Sequence, residues 1–77
     1  MIISKNIDFR IYSRQAYEDT CKEFSEFCTF KENKIDNQNI IFKINIKGDN
    51  KNRGKEIILE FFNYMLDLTC QKRLNIT

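Results

Sequence analysis

An α+β fold of order β-α-β-β-α, a three-stranded sheet with two helices packed on one face, is predicted by three features of this 77-residue chain. Apolar and polar residues alternate with a period of two in 7–12, 28–33 and 40–47. Apolar residues recur every three or four positions in two further stretches. The elements follow one another without a repeat, a linker or a composition shift, so 1–77 reads as a single small domain.

The first strand is read where Ile7, Phe9 and Ile11 alternate with Asp8, Arg10 and Tyr12. Ser13 is the expected N-cap of the helix that follows, its hydroxyl accepting a bond from an orphan amide of the first turn. Tyr17, Thr20, Cys21, Phe24, Phe27 and Cys28 then give one apolar face of a helix of about four turns. Near Phe27 the pattern changes: Cys28, Phe30 and Glu32 face one way, and Thr29, Lys31 and Asn33 the other. Asp36, Asn37, Gln38 and Asn39 are turn formers, their short polar side chains bonding to nearby backbone. Beyond them Ile40, Phe42, Ile44 and Ile46 alternate with Ile41, Lys43, Asn45 and Lys47, the clearest strand of the chain, pairing with the second as a hairpin.

Residues 48–55, GDNKNRGK, read as a mobile loop. Ile57, Ile58, Phe61, Phe62, Met65, Leu66 and Leu68 define a last helix from Lys55 to about Lys72, with Lys72 and Arg73 near the negative end of its dipole. A crossover from the first strand to the hairpin favours the strand order 1-3-2, with the second strand central as the alternative. The sheet face away from the helices would then carry Asp8, Arg10, Tyr12, Thr29, Lys31, Ile41, Lys43, Asn45 and Lys47.

A chain of this length buries only about 60 to 65% of the surface its unfolded form exposes, so one modest core is the limit. Hydrophobic residues at 42% with seven Phe supply that core, and 31% charged residues favour solubility over a membrane span. The start, MIISKNIDF, lacks the apolar run of a signal peptide, and a cytoplasmic location is expected. Three cysteines, Cys21, Cys28 and Cys70, form no C-x-x-C pair and read as reduced, buried small hydrophobes. With no histidine, no phosphate-cradling glycine motif and a three-thiolate set short of a fourth ligand, neither an enzyme nor a metal or cofactor site is expected.

Three features remain as candidates for function. An edge strand offers unpaired backbone groups to an added peptide strand, unless charge guards it. Lys43, Lys47, Lys51, Arg53 and Lys55 form a basic cluster, but a net charge of +2 and the lack of interleaved aromatics make nucleic-acid binding or regulation the second reading. On the last helix, Glu56, Glu60, Asn63, Asp67 and Gln71 make a narrow polar stripe, leaving more apolar surface than one sheet covers. Such a surplus marks a partner surface, or self-association of the helix with a second copy, unless the first helix covers it.

The order of elements, IYSRQAYEDTCKEF after the first strand and FFNYMLDLTCQKR on the last helix resemble the small HxsD-type proteins of His-Xaa-Ser peptide-maturation systems. That family pairs a Tyr-Ser helix start and an Ala-Tyr pair with a last-helix signature resembling Phe-x-Asn-Glu-x-Leu-Asp. Here the correspondence falls on Tyr12, Ser13, Ala16, Tyr17, Phe61, Asn63, Leu66 and Asp67. Tyr64 takes the acidic position, and Gln71 stands where the family has an arginine. The resemblance implies a non-catalytic accessory protein that docks on a radical-SAM maturase, on its ribosomally made precursor peptide, or on both. On that reading Phe62, Asn63, Leu66, Asp67 and Arg73 bind the partner, and Arg10, Tyr12, Lys43, Lys47 and Arg53 bind peptide or an anion. The iron-sulfur clusters and SAM would belong to the enzyme.

Overall fold

The first strand starts earlier in the chain than the 7–12 stretch suggests. The computed structural model describes residues 2–74, with 49–51 described by their backbone alone, and its first strand, β1, is Ile2–Asp8. The chain then passes through α1 (Arg14–Glu23), β2 (Cys28–Lys34), β3 (Asn39–Ile46), a 3₁₀ turn at Gly48–Arg53, and α2 (Gly54–Leu74). β1 and β2 both pair antiparallel with β3, giving the order β1-β3-β2. The split β-α-β arrangement is therefore realised, with β3 between two strands that run parallel to each other.

Asp8 is what ends β1. Its carboxylate accepts from the Arg10 amide (2.8 Å) and takes a fork of bonds from the Arg10 guanidinium, the closest at 2.7 Å. The Asp8 carbonyl accepts from the amides of Ile11 (3.0 Å) and Tyr12 (3.1 Å). The expectation of a strand over 7–12 is thus corrected: 9–12 is a turn whose alternating residues imitate a strand. Arg10 and Tyr12 consequently leave the sheet, and Ile2, Ser4 and Asn6 take their places beside Asp8 on the open face. In register, Ile3, Lys5 and Ile7 face the helices opposite Ile44, Phe42 and Ile40.

Ser13 caps α1 as expected, its Oγ accepting from the Ala16 amide at 3.2 Å. The helix is shorter than four turns. It ends at Phe24, whose amide bonds back to Thr20, and 24–27 form a turn that Ser25 closes on the Lys22 carbonyl. This exit lets Phe24 stay in the core while Cys28 opens β2 opposite Ile46. In the hairpin turn the Asp36 carboxylate accepts from the amides of Gln38 and Asn39 at 2.8 and 2.9 Å. The segment expected as a mobile loop is instead the 3₁₀ turn, entered through Gly48 at φ +38°, a left-handed conformation that glycine adopts without steric cost.

Phe42 is the centre of the core. Phe61 of α2 stacks on it at 5.1 Å between ring centroids, Phe30 of β2 at 6.2 Å, and Tyr17 of α1 meets it edge-on at 5.7 Å. A strand residue presents its side chain to one face only, so both helices lie on the same side of the sheet. α2 buries Ile57, Phe61, Met65 and Thr69, one ridge spaced four residues apart. The Thr69 hydroxyl ties the helices together: it accepts from the Ser13 amide (3.0 Å) and donates to the Met65 carbonyl (2.8 Å). No helix among the described residues is long and apolar enough to cross a membrane.

Candidate functional site

Because β1 is an edge, alternate residues along it turn their amide and carbonyl away from β3. Beside that edge runs the first half of α2, and between them lies a groove of about 530 Å³. Its walls are apolar, from Ile3 on the strand and Ile58, Leu59 and Phe62 on the helix, while Lys5 and Lys55 stand at its rim with Asn6. Phe62 is held in place by Phe61, Phe42 and Tyr12, at 5.8, 6.1 and 6.0 Å. Ile3 and Ile58 are half-buried and Leu59 is exposed. The wall is thus fixed at its base by the core and open at its lip.

Lys5 occupies an inward position of the strand, across from Phe42, where alternation calls for an apolar residue. Lys5 lines the groove and is exposed, as suits a side chain whose apolar stem can cover a wall while its ammonium stays in water. An inward-pointing charge disfavours the addition of an apolar strand at that edge. An acidic side chain opposite Lys5 removes the penalty, since opposite charges across a strand pair attract. The edge thus sets an apolar position, Ile3, beside a cationic one, Lys5.

The other edge differs. β2 turns Glu32 and Lys34 inward, opposite Phe42 and Ile40, and Glu32 accepts a bond from the Tyr17 hydroxyl at 2.9 Å. A second groove of about 510 Å³ lies between this edge and α1, with Glu18, Lys22 and Glu32 among its walls. Burial foremost, then the neighbouring Cys21 and Glu32, pushes the Tyr17 phenol far above its ordinary range, so it remains a neutral donor. That edge is occupied by charge and by an internal hydrogen bond.

The residues expected to bind a partner fall in three places. Phe62 lines the β1 groove. Asn63, Leu66 and Asp67 lie exposed on the outward side of α2. Arg73 sits at the end of α2, where its Nη2 donates to the Arg10 carbonyl at 3.1 Å and fastens the helix to the β1–α1 turn. The whole polar stripe, Glu56, Glu60, Asn63, Asp67 and Gln71, is exposed. Part of the apolar surplus is covered by α1, through Phe24 against Phe61 (5.4 Å) and Tyr64 (5.9 Å). Leu59 and Leu66 remain exposed at 62% and 44%.

The expected peptide or anion residues do not assemble into one surface. Arg10 is engaged by Asp8, whose carboxyl that hydrogen bond holds below the usual carboxylate range. Tyr12 is half-buried against Phe62. Lys47 donates to the Ser25 carbonyl at 3.0 Å, and Arg53 pairs with Glu56 at 3.1 Å. Lys43 stands on the open sheet face directly opposite Lys31. Of the cysteines, Cys28 is buried and Cys21 half-buried, but Cys70 is exposed, a correction to the expectation of three buried thiols. Burial raises the Cys28 thiol and pushes Cys21 up to about 11, away from the range of a reactive thiolate. No three His, Cys, Asp or Glu side chains among the described residues converge as a metal site.

Ile3, Lys5 and Ile58 were not among the expected site residues. Ser4, Lys5 and Asn6 are three polar residues in a row, so no period-two signal marks Ile3 and Lys5 as a strand pair; their pairing with β3 alone reveals it. No family model, curated protein or solved structure matches the chain.

Proposed function

We propose that the chain is a non-catalytic accessory module that seats an extended segment of a ribosomally made precursor peptide as a fourth strand on β1, against the apolar wall of α2. The open β1 edge running beside Ile3, Ile58, Leu59 and Phe62 is the observation that carries this reading. Backbone bonds to β1 provide affinity without regard to sequence, and alternate side chains of the peptide enter the groove and provide selectivity. Lys5 selects a carboxylate at one of them. The resemblance of the Tyr12-Ser13, Ala16-Tyr17 and Phe61-x-Asn63-x-x-Leu66-Asp67 positions to HxsD-type proteins supports a precursor peptide as the occupant and a radical-SAM maturase as the enzyme served. In this division of labour the maturase supplies the clusters and SAM, and the chain presents the peptide.

The test is a fluorescence-anisotropy titration with a labelled extended peptide of alternating apolar residues with one glutamate among them, the pattern that fits Ile3 and Lys5. The wild type binds. Lys5→Glu weakens binding roughly three- to tenfold, as expected when a cross-strand attraction becomes a repulsion, and Ile3→Asp weakens it further, both in proteins with unchanged circular dichroism. Absence of binding by the folded wild type at millimolar peptide, or binding indifferent to both substitutions, overturns the reading.

A further inference from the structure

Along the solvent side of α2, Leu59, Asn63, Leu66 and Cys70 recur at alternating spacings of four and three, and all four are exposed. This is the a/d repeat of a coiled-coil seam, and it lies opposite the ridge of Ile57, Phe61, Met65 and Thr69 that the domain buries for itself. The seam is surplus to the core. Its chemistry is specific: leucine falls at both d positions and asparagine at an a position. Leucines at d pack side by side in a parallel two-stranded seam, and a single asparagine at a pairs with its own copy across the axis, fixing register and number of strands at some loss of stability.

The charges at g and e favour the same arrangement, while Glu56, at the a position before Leu59, is paired with Arg53 of its own chain. In this register Lys55 stands at g and Glu60 at the following e position. A parallel twofold pair therefore brings Lys55 of each copy to Glu60 of the other, and among the described residues neither makes an ion pair within its own chain. The antiparallel alternative sets Glu60 of one copy beside Asp67 of the other, a like-charge contact made twice. We infer that the chain forms a parallel homodimer through this seam of α2, with the Asn63 side chains paired on the twofold axis and the two Cys70 thiols facing each other one heptad further on. The inference does not rest on the peptide reading. Leu59 and Lys55 border the groove as well as the seam, whereas Asn63, Leu66 and Cys70 do not line it, and these three separate the two surfaces.

Sedimentation velocity under reducing conditions, together with a short bismaleimide, tests it. The wild type sediments as a dimer and the reagent links Cys70 to Cys70, as read by peptide mapping. Leu66→Asp weakens dimerisation by at least about tenfold, because it places two carboxylates in an apolar seam, while leaving the thermal unfolding of the monomer unchanged. Asn63→Val tightens association, since the buried amide pair is replaced by apolar contact. A wild type that remains monomeric up to millimolar concentration overturns the inference, as does a dimer insensitive to Leu66→Asp. So does a dimer in which Cys70 fails to cross-link to itself: antiparallel packing about the seam's midpoint separates the two thiols by about 16 Å along the axis.

Discussion

Replacing Thr69 by valine tests the joint that sets α2 against the rest of the domain. The side chain is 1% exposed and its hydroxyl holds the Ser13 amide at 3.0 Å, across 56 residues of sequence. Valine preserves the shape and leaves that amide without a partner. The Met65 carbonyl loses a bond from the hydroxyl but keeps its helical one, so nearly all of the loss falls on the Ser13 N–H. A buried donor left unpaired costs about 1–3 kcal/mol, and because Ser13 is only part-buried the expected loss is about 1–2 kcal/mol. With a urea m value near the low end for small proteins, about 1 kcal/mol/M, the unfolding midpoint falls by about 1–2 M. Amide exchange supplies the specific readout: the Ser13 amide, protected in the wild type, exchanges freely in the variant, while the Phe42 amide stays protected relative to the new stability. Thr69→Ser keeps both hydrogen bonds, and its Ser13 amide remains protected. A Thr69→Val protein with an unmoved midpoint, or one whose Ser13 amide is as protected as in the wild type, refutes the assignment of this bond as the tie between the helices.

Other consequences follow from the same geometry. Phe61→Ala removes a fully buried ring in contact with Phe24, Phe30 and Phe42; a loss of about 3–5 kcal/mol is a large part of the stability of so small a domain, and calorimetry should show a broad transition at much lower temperature or none. The carboxyls of Asp8, Asp19 and Asp36 are lowered below 3.8 chiefly by hydrogen bonds from the Arg10 side chain, the Gln15 side chain and the Gln38 amide respectively. A folded value below the unfolded one stabilises the fold above the unfolded value, and that contribution disappears as pH falls through the lowered folded values. Thermal midpoints should thus hold from neutrality to about pH 4 and then drop; a midpoint flat to pH 2 contradicts this. Iodoacetamide at pH 8 should label Cys70 first and Cys21 slowly, with the Cys21 rate still rising toward its pKa of about 11; equal rates for the two would show that Cys21 is not shielded by its surroundings.

Much of the fold was legible in residue spacing. Period-two alternation located β2 and β3, and Asp36 marked their turn, because a strand with one buried face must alternate and a tight turn must satisfy its amides locally. Ser13 was readable as a cap for the same local reason. The first strand was misplaced because Phe9, Arg10, Ile11 and Tyr12 also alternate. What decides there is Asp8, whose carboxylate takes the Arg10 amide and whose carbonyl takes those of Ile11 and Tyr12, so that none of the three is offered to β3. The end of α1 was overextended because Phe27 continues the helical spacing, whereas Cys28 is needed opposite Ile46.

The candidate site was less legible, since a groove is a relation between elements far apart in sequence. Lys5 and Phe62 are 57 positions apart, and nothing local to either marks them as neighbours. The polar cluster 43–55 looked like one surface in sequence, yet folding turned Lys43 to the open sheet face, Lys47 to the Ser25 carbonyl and Arg53 to Glu56.

By itself, the sequence determined the kinds of element, their order and the amphipathic face each would bury, because those depend on periodicity within about ten residues. It also showed that α2 has apolar residues beyond its needs. Only the tertiary structure decided which of them α1 covers and which stay outside, that β3 rather than β2 takes the centre of the sheet, and that Lys5 stands inward on the β1 edge beside α2. These are matters of which surfaces meet, and that is settled by packing Phe24, Phe30, Phe42 and Phe61 into one core, not by any property of a single segment.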